Sequence, residues 1–414
     1  MALNTKKTDI SCKILHITPH LGGGVGTVLL NWLTFDKEFK HSIITLDYAN
    51  EEAIKKCNEI NIELYSEINK EKIFDLITKN DIVIMHFWNH PLLYNFIINN
   101  TLPECRLIIW SHISGLIAPN IITEKILAYP DVFIYTTPIS RELKENKVIL
   151  STGGIDKLKN IELIPHNGFT VGYIGTVDYA KMHPKYVETL SKTTADKFII
   201  LGGNQEKEIS KNADKRFHFL GKVSDIIPYL QKMDILGYLL NPKHFGTAEQ
   251  VIQEAMAVGV VPVVLNNKCE KSLVIHNETG LIANNLEEYI EYINKLKNNK
   301  NLLEKLKLNG KNYAKNNFSL NKLNKIWHET FDDILKNKKT IKSWQSSGKI
   351  KSSYDIFLES IGSFDKIFIN NSKEKIKEIL KDSVWQSNSK GTPKQYFNFL
   401  KGQELERICE LYEK

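Results

Sequence analysis

From Cys12 onward, short apolar runs alternate with segments of helical spacing. "CKILHIT" (12–18) leads into the glycine loop "PHLGGGVGT". Behind it "VLLNWLTF" carries its apolar residues at the three- and four-residue spacing of an amphipathic helix. "HSIITLD", "DIVIMHFW", "LIIWSHI", "DVFIYTT" and "KVILST" follow as strands, with "KIFDLI" a helix between the first two. Strands alternating with helices predict a parallel, doubly wound sheet, here over residues 1–165. The pattern then starts again. "FTVGYIGT" (169–176), "KFIILGG", "FHFLG", "DILGYLL" and "VVPVVL" (260–265) predict a second sheet of the same design, and "LIPHNG" (163–168), with Pro165 and Gly168, is the expected linker.

From about residue 285 the chain turns to lysine-rich amphipathic helices, and the polar interval "SWQSSGKIKSS" (343–353) sets off a last helical module. The expected organisation is an α/β chain of three parts. A first Rossmann-like domain spans 1–165 and a second spans 166–342, its last helices crossing back to the first; a helical extension spans 343–414. A length of 414 residues suits two such domains and an appendage.

Composition narrows the function classes. The chain is 42% hydrophobic and 25% charged, ordinary values for a globular enzyme. Its net charge of +7 is almost all lysine, since Arg stands only at Arg106, Arg141, Arg216 and Arg407. Lysine suits diffuse attraction to anions better than bidentate base reading, and no basic stretch is interleaved with aromatics, so nucleic acid is not an expected partner. Cys12, Cys57, Cys105, Cys269 and Cys409 form neither a disulfide framework nor a metal-spaced pair. Lys6, Lys7 and Lys13 are not followed by an apolar signal core, and no run is long enough to span a bilayer. The expectation is a cytoplasmic protein that meets a membrane, if at all, as a peripheral contact on the inner face of the plasma membrane.

Ligands of doubly wound sheets bind beyond the carboxyl ends of the strands, so chemistry is expected in the loops there. Three stand out. Gly22-Gly23-Gly24-Val25-Gly26-Thr27 lets backbone amides approach an anion at a helix start, though a tight helix–strand turn explains it equally well. After "VGYIG", Thr176, Asp178 and Lys181 follow a strand end; Lys181 is either a phosphate-binding point charge or one surface lysine among many. In "HFGTAEQVIQEAMAVGVVPVVL" (244–265), Gly246 and Thr247 open a predicted helix that holds Glu249 and Glu254 and ends at Gly259. A carboxylate such as Glu254 beside the sheet-packing face calls for hydroxyl donors, and a ribose diol supplies them.

These last residues, followed by "HNETGLI", resemble the nucleotide-sugar site of retaining glycosyltransferases of family 4, the glycosyl transferases group 1, which have the GT-B fold. "VGYIGTVDYAKMHP", "FIILGG", "FLGKVSDIIPYLQKMDI" and the N-terminal glycine loop extend the resemblance over residues 12–340. It implies two Rossmann-like domains facing across a cleft. Glu254 would hold the ribose, Lys181 would neutralise the diphosphate, and Gly175 and Thr176 would border it. Gly246, Thr247, Ala248, Glu249 and Gln250 would meet the phosphate and donor sugar, with Gly23 and Gly24 opposite. His112 would sit near the donor sugar, or is a satisfied core histidine; His86 and His90 read as structural. His112, Lys181 and Glu249 are the candidate catalytic residues.

Two positions depart from the pattern. Thr176 stands where the family has Arg, and Gly246 where it has the first of two glutamates, leaving Glu249 as the nearest acid. The resemblance implies transfer of a sugar from a UDP- or GDP-sugar to a glycan or lipid-linked acceptor, with retention of configuration and without metal or other cofactor. Its setting would be bacterial surface polysaccharide or lipopolysaccharide synthesis. A sugar-nucleotide epimerase of the same fold and a catalytically silent binding member are the alternatives. A nicotinamide dehydrogenase lacks its glycine-plus-acid fingerprint here.

Overall fold

The computed structural model describes residues 12–203, 205–345 and 350–412. Lys6 and Lys7 and residues 346–349 of the polar interval lie outside the described residues. The first sheet contains β1 (Lys13–Thr18), β2 (Lys40–Thr45), β3 (Glu63–Tyr65), β4 (Ile82–Phe87), β5 (Leu107–Ser111), β6 (Val132–Tyr135) and β7 (Lys147–Val148). Its order is β7-β6-β5-β4-β1-β2-β3, with every pair parallel. The second sheet contains β8 (Thr170–Ile174), β9 (Lys197–Leu201), β10 (Phe217–Phe219), β11 (Ile235–Tyr238), β12 (Val261–Leu265) and β13 (Leu281–Ala283). Its order is β10-β9-β8-β11-β12-β13, again all parallel.

Helices on both faces bury β4, β5 and β12 along their whole length, which is why these strands read as unbroken apolar runs. In each sheet the strand order reverses next to its first strand, at β1/β4 and at β8/β11, and ligands bind at such switch points. The domains meet there. The Ser114 amide and hydroxyl donate to the Phe245 carbonyl at 3.1 and 2.8 Å, and the Ser114 amide also reaches the Gly246 carbonyl at 2.8 Å. Two Rossmann-like sheets joined along their carboxyl ends are the GT-B architecture.

The helix Leu320–Leu335 returns to the first domain, burying Leu323, Trp327, Phe331 and Ile334 among Trp32 and Trp110. Trp327 stacks on Trp32 at 4.6 Å. The extension follows it. Strand Thr340–Lys342 pairs antiparallel with Leu102–Cys105, and Phe357 and Tyr396 pack into the core around Phe87 and Tyr94. The Tyr396 hydroxyl donates to Asn89 Oδ1 at 2.7 Å, one turn beyond the end of β4.

Candidate active site

The opening helix of the site runs Gln250–Val258 and stops where Gly259 takes the left-handed conformation, φ 90°, which a side chain would strain. Glu254 lies within it as expected. Glu249 does not: it precedes the helix with φ 38°, a conformation costly for a residue with a side chain. Its carboxylate explains the geometry. The Thr247 hydroxyl accepts from the Glu249 amide at 3.1 Å and donates to Oε1 at 2.9 Å, and the Tyr238 hydroxyl donates to Oε2 at 2.7 Å. Lys181 Nζ sits 3.1 Å from Oε2. Burial alone would raise the pKa of Glu249, but Lys181, His244 and the Tyr238 hydroxyl outweigh it and hold it down to about 2.

Lys181 is aimed by a turn in which its amide donates to Asp178 Oδ1 at 3.0 Å, and its ammonium lies 5.6 Å from the ring centres of both Tyr238 and Phe245. Behind Glu249, His244 Nε2 is 2.9 Å from Glu270 Oε2. Burial opposes protonation of His244, yet Glu270 and then Glu249 raise its pKa above the usual histidine value. Gly246 is cramped as well as left-handed, φ 62°. A Cβ there would lie 2.4 Å from Cys269 Sγ and 3.0 Å from Ser114 Oγ, so the position cannot hold the glutamate that the resemblance leads one to expect.

Glu254 forms a second pole of the site. Its Oε1 accepts from Gln250 Nε2 at 2.7 Å and lies 3.6 Å from Lys157 Nζ. Burial raises its pKa, against Lys157 and Gln250. A Cβ on Gly154 would come within 2.9 Å of that oxygen, so the loop after β7 closes over it. Ala248 is fixed through Gln253, which donates to its carbonyl at 2.8 Å and accepts from the Thr152 amide and hydroxyl at 3.1 Å. Gly175 and Thr176 follow β8, and the Tyr173 hydroxyl donates to the Thr176 carbonyl at 2.7 Å.

Across the cleft, Gly23 and Gly24 form the first turn of helix Gly23–Phe35, where a Cβ would find no atom within 4 Å. His112 follows β5, two residues before the Ser114 contact to Phe245. It ends a chain of buried imidazoles. His112 Nε2 is 2.9 Å from His86 Nδ1, His86 Nε2 is 3.1 Å from His16 Nδ1, and His16 Nε2 is 3.0 Å from His41 Nδ1. His41 Nε2 reaches Asp36 Oδ2 at 3.3 Å. Burial lowers the pKa of all four histidines, that of His86 to about 3. His86 thus orients His112 rather than merely filling the core. Lys157, His244 and this chain carried no local sequence signal, because each matters through a partner far away in the chain.

Residues 154–313 match the family model for glycosyl transferases group 1. Over 132 residues the chain is 28% identical to a GDP-Man:Man(3)GlcNAc(2)-PP-Dol alpha-1,2-mannosyltransferase of Dictyostelium discoideum, a match spanning 28% of this chain and 26% of that relative. The chain is similar to a glycosyltransferase of Rickettsia africae ESF-5, with TM-score 0.61, 18% identity and coverage of 79% of this chain and 100% of that one. It is also similar to Anabaena HepE in complex with UDP and glucose, with TM-score 0.59, 17% identity and coverage of 78% and 100%. A third similar structure is the sucrose-phosphate synthase of Thermosynechococcus elongatus, with TM-score 0.56, 14% identity and coverage of 78% and 99%. The chain has the GT-B fold of glycosyltransferases, and its second domain carries the sequence signature of glycosyl transferases group 1.

Proposed function

We propose that the protein is a retaining glycosyltransferase that moves a sugar from a UDP- or GDP-sugar to a glycan or lipid-linked acceptor, serving surface polysaccharide or lipopolysaccharide synthesis from the cytoplasmic side. The observation that carries this reading is that two buried carboxylates, Glu249 and Glu254, follow β11 at one sheet's switch point, each beside a lysine, Lys181 at 3.1 Å and Lys157 at 3.6 Å. In this arrangement Glu254 grips the ribose hydroxyls. Lys181 and the amides of Thr247 and Ala248 stabilise charge on the departing diphosphate, an effect worth ~3–4 kcal/mol for one well-placed donor. The leaving phosphate takes the acceptor's proton on the same face, so no protein nucleophile or metal ion is required. His112 contacts the donor sugar. The HepE structure, solved with UDP and glucose, supports a donor of this kind. No helix among the described residues is long and apolar enough to cross a membrane.

The test is thermal-shift screening against UDP-, GDP-, ADP- and CMP-sugars, followed by hydrolysis or transfer from the radiolabelled hit. The parent protein is stabilised by one donor class and releases its sugar, and Glu254→Ala loses both responses. Equal signals from parent and Glu254→Ala exclude the reading.

A further inference from the structure

The extension reaches the cleft through Val384 and Lys390. Between Asp382 and Gly391 it touches both domains. Lys243 pairs with Asp382 at 2.5 Å, Asn241 Nδ2 donates to Ser383 Oγ at 2.8 Å, and Asn120 Nδ2 donates to the Lys390 carbonyl at 2.6 Å. A Cβ on Gly391 would lie 2.5 Å from Asn89 Cγ, so the chain is pressed against the loop after β4. Lys390 itself is left-handed, φ 66°, a conformation costing a lysine on the order of 1 kcal/mol. Its ammonium stands 4.0 Å from the centre of the Phe245 ring, the same ring that Lys181 approaches at 5.6 Å. Pro119, Asn120, Ala180, Lys243, Phe245 and Lys390 line a common small pocket.

Charge decides what such a lysine is for. Asp178, Glu249 and Glu270 place three carboxylates at this end of the cleft, and Thr176 adds no cation. Even with His244 protonated, Lys181 and His244 leave the acids in excess, and a nucleoside diphosphate would enter a negative field. Lys390 restores the balance. Unlike Lys181 it forms no salt bridge among the described residues, so it is available to an incoming anion. Burial and the nearby Lys181 lower its pKa to about 8, with Asp178 and Glu249 opposing, so it is mostly charged at neutral pH. It also lowers the pKa of His20, after burial, to about 4. His20 stands just before the Gly22–Gly24 loop, and its Nδ1 is buried without a hydrogen-bond partner among the described residues.

We propose that Lys390, delivered by the C-terminal extension, is a second diphosphate-binding cation that completes the donor site opposite Lys181. This rests on the nucleotide-sugar reading above and adds a ligand contributed from outside both Rossmann-like domains. The strained backbone places the charge over the Phe245 ring, which Lys181 also approaches.

Calorimetric titration with UDP, GDP, uridine and guanosine distinguishes the two levels of inference. Lys390→Met removes the charge, and Lys390→Gly removes it while suiting the left-handed backbone, so at least one variant is expected to fold. Both should bind the preferred diphosphate about 10- to 100-fold more weakly, as loss of a charge-assisted contact implies, while Lys390→Arg retains most of the affinity. Uridine or guanosine affinity should be unchanged, which a general disturbance of the cleft would not allow. Diphosphate affinity unchanged in a folded Lys390→Gly or Lys390→Met protein overturns the proposal with the donor reading intact. A parent that binds neither UDP nor GDP overturns both.

Discussion

Replacing Glu249 by Gln removes one charge from the most fully satisfied carboxylate in the cleft while keeping its shape. The carboxyl titrates at about 2 instead of 4.5. At ~1.4 kcal/mol per unit, the folded state favours the ionised form by about 3 kcal/mol, in line with the ~3–5 kcal/mol typical for breaking a buried pair from one side. Because the folded pKa is the lower one, this stabilisation is complete above pH 4.5 and is lost as the pH falls toward 2. Urea denaturation should therefore show Glu249→Gln about 3 kcal/mol less stable than the parent at pH 6, the gap shrinking by ~1 kcal/mol by pH 3.5. Ligand should shrink it too. Glu249 and a phosphate compete for Lys181, so saturating diphosphate gives the variant's lone lysine a partner and stabilises the variant more than the parent. A gap unchanged from pH 6 to 3.5 would refute the ionised Glu249–Lys181 pair, and a smaller ligand effect in the variant would refute the competition.

Gly246→Ala drives a methyl into Cys269 Sγ at a left-handed position and should cost ~1–3 kcal/mol, seen as a lower melting temperature; parent-like melting would show that the Ser114–Phe245 contact yields freely. Asp36→Leu removes the acceptor that orders the buried imidazoles. Nitrogen chemical shifts should then move at His112, four hydrogen bonds away; unchanged shifts there would mean His112 is oriented locally. Diphosphate affinity should fall as pH rises through about 8, where Lys390 loses its proton among Lys181, Asp178, Glu249 and His20. In Lys390→Arg the affinity should hold to higher pH, and identical profiles would place the titration elsewhere.

The two sheets were legible because each interior strand is covered on both faces and so written as an apolar run between glycine turns. Within these two sheets the strands missed were β3 and β13, three residues each at sheet edges, where the run is too short to register. Gly259 announced the end of the site helix, but the helix start was misplaced by three residues. The partners that pull Glu249 out of it, Tyr238 and Lys181, come from the end of β11 and from the loop after β8. Lys390 was invisible for the same reason at longer range: its neighbours Asn120 and Phe245 lie far back in the chain, and nothing in "SNSKGT" marks one lysine among so many. Residues whose role is set by their own backbone or face could be read locally, and residues recruited across domains could not.

The histidine chain shows how much one remote carboxylate can decide. His41, His16, His86 and His112 sit on or just after β2, β1, β4 and β5, which are neighbours in that order. His16 pairs in register with Ile43 and Ile84, and His86 with Trp110, so each step shifts two residues toward the carboxyl ends. The row therefore climbs diagonally from Asp36 to the cleft. All four rings are neutral, so each has one N–H to give and one lone pair to accept with. Asp36, whose carboxyl is held below its usual pKa against burial by His41, can only accept, which forces Nε2–H on His41 and then on His16, His86 and His112 in turn. His112 is left with a lone pair on Nδ1. Through that atom it can accept a hydrogen bond from a hydroxyl but cannot donate to an anion, which separates it from the task proposed above for Lys181.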